Sequence, residues 1–325
     1  MRRSSATSAS PKPLAASHGK KRSEIRDQTC ASLPSFTAAA SSLRVPSHCY
    51  DAPVNPSNSF TSRPIVRIRE STRAAADDQL AVEEPLEIRI GKEPLAITMR
   101  TPGHDADLAA GFCLTEGIIQ HADEIESIEP CRIAEYGNIV IVRLTEEAAA
   151  RRQSQITCAK RELYISSSCG LCGKQSIDRI QRTIKPIQGD FKVSPALLTS
   201  LPALMRQTQP TFEATGGLHA AALFNTAGHL QLLREDVGRH NAVDKVIGAA
   251  LLTGQLPLSS SLLLVSGRAS FELIQKAALA SIPLLAAIGA PSSLAVDLAT
   301  RLNITLIGFL RDERMNIYSG EHRIL

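Results

Sequence analysis

The stretch LLLVSGRASFELIQKAALASIPLLAAIGAPSSLAVDLATRLNITLIGFL, residues 262–310, decides the fold. Three apolar runs, 262–265, 284–288 and 305–310, have the length of buried strands. Between them, residues 271–280 and 294–302 carry apolar side chains at helical spacing. Strands alternating with helices of roughly ten residues predict βαβ units and a parallel sheet covered on both faces. Upstream, 230–233 adds a strand and 242–252 a helix, so the rhythm starts near residue 210.

The loops that follow these strands are rich in donors. Arg234-Glu235-Asp236-Val237-Gly238-Arg239-His240-Asn241 sets five ionisable residues between a strand and a helix, with Asp244 and Lys245 on the first helical turn. Open α/β sheets bind ligands at the carboxyl ends of their strands, so this density favours a binding role over a surface salt-bridge cluster. Ser266-Gly267-Arg268-Ala269-Ser270 repeats the placement one unit later, and Gly289-Ala290-Pro291-Ser292-Ser293 one unit after that. Glycine, serine, a helix N-terminus and the guanidinium fork of Arg268 suit a phosphate or pyrophosphate. Neither Gly-x-Gly-x-x-Gly nor a Walker A sequence occurs, which disfavours a dinucleotide coenzyme or ATPase chemistry. At the final strand end, Phe309 is an aromatic that could stack on a purine, with core packing as its ordinary role.

In the other direction, 86–90 and 95–99 around Gly91-Lys92 read as a β-hairpin. An amphipathic helix is expected over 105–114, with Asp105 and Asp107 at its positive end, and further strands over 139–144 and 162–166. Residues 1–62 are rich in Ser, Ala, Pro, Arg and Lys and show no hydrophobic period, so they read as a disordered tail, a targeting segment or a misassigned start. The expected organisation is this tail, a small α+β N-terminal domain over 63–165, a cysteine loop and helix over 166–185, and an α/β domain over 186–325.

Ser166-Ser167-Ser168-Cys169-Gly170-Leu171-Cys172-Gly173-Lys174 carries the sharpest chemistry. Ile177, Ile180 and Ile184 follow at helical spacing, so the loop feeds a helix N-terminus. There the dipole and Lys174 favour thiolate, the species that attacks a sulfur–sulfur bond. Spacing alone leaves several roles open: a structural zinc site, a thioredoxin-like pair, inert cysteines or a persulfide carrier. Zinc lacks a second Cys-x-x-Cys or His-x-x-x-His, and Cys131 and Cys158 are scattered. Thr215-Gly216-Gly217-Leu218-His219 offers a histidine after a permissive double glycine. The glutamate that deaminase chemistry requires two residues on is Ala221 here, which counts against a zinc-dependent hydrolase.

Composition agrees with a globular chain. Of 325 residues 43% are hydrophobic and 21% charged, enough for a core built on Leu, Ile, Val and Ala, since Trp is absent. A net charge of +4 is too mild for a nucleic-acid binder, and no run approaches the ~18 apolar residues of a membrane span. Seven cysteines, an odd number without a secretory signal, point to a reducing compartment.

Taken together, four stretches resemble the formate dehydrogenase accessory sulfurtransferase family. They are Met99–Gly103 with Ala110-Gly111-Phe112 and Thr115-Glu116-Gly117-Ile118-Ile119; Ser167–Lys174; Thr215–His219; and Glu235–Asn241 running into Ser266-Gly267-Arg268. The likeness covers roughly residues 80–325. It implies a cytoplasmic homodimer whose C-terminal domain is three-layered, with a mixed, largely parallel, cytidine-deaminase-like sheet. It implies a sulfur carrier between a cysteine desulfurase and a formate dehydrogenase. The cargo would be the bis-molybdopterin guanine dinucleotide molybdenum cofactor, sulfurated before insertion; the rival is a chaperone that binds this cofactor without handling sulfur. By motif, Cys169 matches the persulfide-bearing cysteine and Cys172 its partner. Phe309, Leu310, Arg311, Asp312, Glu313 and Arg314 match the segment contacting the guanine nucleotide. Gly267, Arg268, Arg239 and His240 are expected to hold the anionic ligand, and no resident metal is expected.

Overall fold

A computed structural model describes residues 59–131, 138–151, 184–189 and 191–325, all within one compact unit spanning Leu43–Leu325. The N-terminal part holds β1 (Phe60–Arg69), β2 (Thr72–Ala81), β3 (Glu84–Ile90), β4 (Glu93–Arg100) and helix α1 (Asp105–Thr115). After them come β5 (Ile125–Pro130) and β6 (Ile139–Leu144). The C-terminal part begins with α2 (Pro195–Gln207), α3 (Pro210–Thr215), β7 (His219–Asn225), β8 (Leu230–Asp236) and α4 (Arg239–Leu252). It ends with β9 (Ser261–Val265), α5 (Phe271–Leu279), β10 (Leu284–Ala287), α6 (Ser293–Arg301), β11 (Thr305–Arg311) and β12 (Arg314–Ser319).

The expected alternation is present and makes a mixed α/β fold. Six strands form one sheet in the order β12-β11-β10-β9-β7-β8. The three strands of the decisive stretch, β9, β10 and β11, run parallel, with Leu284 opposite both Leu262 and Thr305. Antiparallel strands close both flanks: β7 against β9, β8 against β7, and β12 against β11. The hydrogen-bonded parallel part is β9, β10 and β11, where α5 and α6 supply the crossovers; tight turns return β7 to β8 and β11 to β12, while α4 carries the chain from β8 past β7 to β9.

Side-chain alternation sorts this sheet into three layers. Leu262, Leu264, Leu284, Ala286 and Ile307 face Leu198, Leu201 and Met205 of α2. Leu263, Val265, Leu285, Ala287 and Leu306 face the opposite core, shared with α4, α5 and α6. Period-two alternation puts neighbouring residues on opposite faces, and burial on both explains why these runs read as unbroken apolar stretches.

The smaller sheet, ordered β4-β3-β6-β5, presents Leu86, Ile88, Val140 and Val142 to the same core through α1. Helix α1 differs from its expected amphipathic form. Every residue from Asp107 to Thr115 is buried, because the helix lies between this sheet and α4. A Cβ on Gly111 would run into the Asp244 carbonyl of α4, and one on Gly248 into the Asp107 carbonyl of α1, so only glycine permits the approach. The acids at the start of α1 make ion pairs as well as meeting the dipole. Asp105 takes Arg100 in a two-pronged bond at 2.9 and 3.0 Å, and Asp107 takes Arg234 at 2.8 Å.

Of the strands that the sequence left unassigned, β1, β2, β5, β7 and β12, the first two pair antiparallel from Phe60↔Ala81 to Arg69↔Thr72. The chain is thus regular from Phe60. The expected strand over 162–166 and helix after the cysteine loop lie outside the described residues.

Candidate functional site

Cys169 and Cys172 also lie outside the described residues, so the site takes shape from the strand ends that the sequence singled out. The cluster after β8 divides into structural and available groups. Asp236 is fully buried and takes Lys245 at 2.7 Å, itself 1% exposed. The same carboxylate accepts from the backbone N–H of Thr101 at 3.2 Å and of Gly238 at 2.8 Å, and from Asn241 Nδ2 at 3.0 Å. Lys245 also donates to the Thr101 carbonyl, and Asn241 to that of Met99. These groups fasten the end of β4 to the start of α4. Glu235 accepts from the N–H groups of Thr211 and Phe212 and so caps α3, while Arg234 is held by Asp107. Of the five ionisable residues, Arg239 and His240 are left to face the strand ends.

Beyond β9, β10 and β11 the main chain goes on pairing. Gly289 N–H donates to the Gly267 carbonyl at 3.0 Å, and Phe309 N–H to that of Gly289 at 3.0 Å. The predicted loops after β9 and β10 and the end of β11 are therefore stacked side by side along one sheet edge; the predicted loop after β8 makes none of these bonds. Glycine is demanded at two of them: a Cβ on Gly289 would lie 2.9 Å from the Gly267 oxygen, and one on Gly308 2.8 Å from Pro291 Cδ. Exposed Arg268 lies over this edge, its Cγ 3.1 Å from the same point above Gly289.

His219, at the start of β7, joins the edge from the other side. Its Nδ1 is 3.5 Å from Ser266 Oγ, which accepts the Ala220 N–H at 2.9 Å. Burial, then the positive charges of Arg239 and His240, holds the His219 pKa below the ordinary histidine value, with Asp236 opposing them. Arg239 Nε is buried and has no hydrogen-bond partner among the described residues. His240 Nε2 reaches Ser270 Oγ at 3.4 Å and Glu272 Oε2 at 3.9 Å. The imidazole beside it, against partial burial, and then the Ser270 hydroxyl hold the Glu272 carboxyl down to about 2. Glu272 was not legible as a site residue; its signal is an acid on the first turn of the helix after Gly267-Arg268.

The last segment separates likewise. Phe309 adopts a left-handed backbone, φ 54°, and is half-buried beside Gly289. Leu310 corrects the expectation placed on it: it has no exposed surface and packs in the core against the α2 side, so its side chain cannot touch a ligand. Arg311, Asp312, Glu313 and Arg314 form the exposed turn joining β11 to β12, with Arg311 opposite Arg314. Among the described residues no group of three or more His, Cys, Asp or Glu is placed to hold a metal.

Fold and edge together define a three-layer α/β protein whose sheet end gathers Arg239, His240, Arg268, His219 and glycine-lined amides, an arrangement able to receive an anionic ligand. The FdhD/NarQ family profile matches residues 81–325, and the chain belongs to this family. It is 53% identical over 270 residues to the sulfur carrier protein FdhD of Streptomyces avermitilis, covering 81% of this chain and 94% of that one. The protein of the same name from Nocardia farcinica is 47% identical over 270 residues, with the same coverage. A crystal structure from Desulfotalea psychrophila, provisionally described as a formate dehydrogenase accessory protein, superposes with a TM-score of 0.65 at 27% identity. It covers 82% of this chain and 99% of that one.

Proposed function

We infer that this chain is a sulfur carrier in formate dehydrogenase maturation, with Cys169 as the atom-bearing residue. The observation that carries this is the Cys169-Gly170-Leu171-Cys172 loop in a chain 53% identical to a protein named for sulfur carriage. In the step proposed, the Cys169 thiolate attacks the outer sulfur of a cysteine desulfurase persulfide. The donor's sulfur–sulfur bond breaks, the donor cysteine leaves as thiolate, and the sulfur remains on Cys169 as a persulfide. Cys172 is its partner in the loop.

The cargo of this reading is the bis-molybdopterin guanine dinucleotide molybdenum cofactor, docked as substrate at the sheet edge. Arg239 Nε, buried without a partner among the described residues, and Gly267 beside its side chain favour an anionic group there. Arg239, His240, Gly267 and Arg268 would hold its phosphates, and Phe309 with Arg311 to Arg314 its guanine end. The reading also takes the protein as a cytoplasmic homodimer that meets a desulfurase and apo-formate dehydrogenase in turn. Among the described residues no helix is long and apolar enough to cross a membrane.

The test is mass spectrometry of the Cys169 peptide after incubation with a cysteine desulfurase and cysteine. One added sulfur on Cys169, absent from Cys169→Ala, is the expected result. A Cys169→Ala protein that still supports formate dehydrogenase activity would turn the conclusion to a cofactor-binding chaperone.

A further inference from the structure

We propose that Glu272 is a resident anion of the sheet edge: its carboxylate competes with a phosphate group of the ligand for the His240 imidazole and so sets how readily the bound ligand leaves. The inference rests on the sheet edge as the cofactor's dock and adds to it an acid that opposes binding.

Arg239, His240 and Arg268 give the edge its positive charge, and a purely attractive anion site has no use for a carboxylate. The acids before α4 are committed elsewhere. Asp236 is fully buried against Lys245 at 2.7 Å, and Glu235 accepts the N–H groups of Thr211 and Phe212. Glu272 instead reaches the basic side. Its Oε2 lies 3.9 Å from His240 Nε2, and the two side chains are 35% and 37% exposed. The pair therefore faces solvent, where a ligand arrives, and is not a support hidden behind the imidazole.

Local structure explains why the carboxylate stays there. Ser270 precedes α5 but makes no side-chain capping bond to it, unlike Ser292, which accepts the Ala295 N–H at the start of α6. At α5 that part passes to Glu272 on the first turn, whose carboxylate accepts from the imidazole, the Ser270 hydroxyl and its own N–H. Those donors, the imidazole foremost and against partial burial, hold its pKa down to about 2, so it is charged throughout the neutral range. Imidazole, hydroxyl and helix N–H are also the donors a phosphate oxygen takes, and one Nε2–H serves one acceptor at a time. A carboxylate that holds the donors and repels the incoming charge weakens binding, and such differences lie mostly in the rate of leaving. A carrier has to surrender its cargo, and Glu272 returns to His240 as the phosphate departs.

Calorimetric titration with inorganic pyrophosphate tests the competition. E272Q keeps the size of the side chain and removes its charge, so it should bind pyrophosphate about tenfold tighter than wild type, and E272A should gain likewise. Because the expected change is a gain, a folding defect cannot produce it. E146Q removes the same charge from an exposed position beyond β6, at the end of the small sheet opposite Met99, and should stay within about twofold of wild type. In an H240A background the object of the competition is gone, so E272Q should add less than about threefold. The proposal is overturned if wild type binds pyrophosphate and neither E272Q nor E272A binds it tighter. It is equally overturned if E146Q gains as much, or if the gain persists in full without His240. If neither wild type nor E272Q binds, the dock itself fails and the competition with it. Sulfur loading of Cys169, read by mass on the wild-type chain, reports the carrier role separately.

Discussion

At the scale of single residues, the polar clusters after the strands serve two purposes that the sequence presents as one. Asp236 and Lys245 are a buried ion pair tying β4 to α4, and removing one partner strands the other's charge. Lys245→Met should therefore destabilise the chain by about 3–5 kcal/mol in urea unfolding, whereas exposed Arg268→Met should change stability by less than about 0.5 kcal/mol. Glu272 allows a test of charge at the edge itself. Its folded pKa is depressed to about 2, so its contribution to stability is complete above the ordinary glutamate value of 4.5 and is lost as pH falls from there towards 2. The carboxyl carbon of Glu272, followed by NMR, should titrate near 2 in the wild-type chain. In His240→Ala the midpoint should climb towards 4.5; an unmoved midpoint would mean that the imidazole is not its main partner.

Among the elements, legibility followed apolar periodicity more than burial: β7, buried from Ala220 to Phe224, was not read from the sequence. The strands β6, β9, β10 and β11 and the helices α4, α5 and α6 were visible because their apolar residues repeat at the period of a packed element. Hairpin β1–β2 was not, since Thr72–Ala81 carries alanines and acids and neither strand buries much: Val66 and Ile68 of β1 are 54% and 68% exposed and Leu80 of β2 44%. Its turn also lacks the usual signal, as Glu70 and Ser71 hold positive φ of 48° and 73° in place of Asn-Gly. Replacing them with Asn-Gly should relieve about 1 kcal/mol or more of left-handed strain and slow hydrogen exchange across 60–81. The same logic applies inside α1, whose all-round burial is set by a neighbour the sequence does not announce. Gly111 is the trace of that neighbour. Gly111→Ala drives a methyl group into the Asp244 carbonyl and should cost about 3 kcal/mol or more. At the site, the glycines and Arg268 were legible as loop residues, but the pairing of Gly267, Gly289 and Phe309 into one edge was not. That stacking depends on which strands are neighbours, which no local pattern states.

Across the whole molecule, the decisive feature is that two sheets close on one core. Thr115 at the end of α1, Asp244 of α4 and Lys276 of α5 meet in a buried cluster, with exposed Glu116 at its rim. Lys276 Nζ lies 3.0 Å from Asp244, 2.9 Å from Thr115 and 3.4 Å from Glu116. Burial alone would lower the Lys276 pKa, but the Asp244 and Glu116 charges outweigh it and raise it, so the amine stays protonated. This cluster joins the layer carrying β3 and β6 to the layer carrying β9 and β10, and the apolar residues around it form one continuous group. Neither sheet can then lose its helix cover without exposing the other's, which predicts a single cooperative unfolding step for the described region. In native-state hydrogen exchange, amides of Val140 and Val142 should open with the same free energy and denaturant dependence as those of Leu264 and Leu285. Lys276→Met should lower both sets together, by about 3–5 kcal/mol, because the uncompensated Asp244 charge sits at their junction. If the β6 amides opened at much lower energy while β10 stayed protected, the two sheets would be separate folding units, and the shared core would not be what fixes the strand ends of the candidate site.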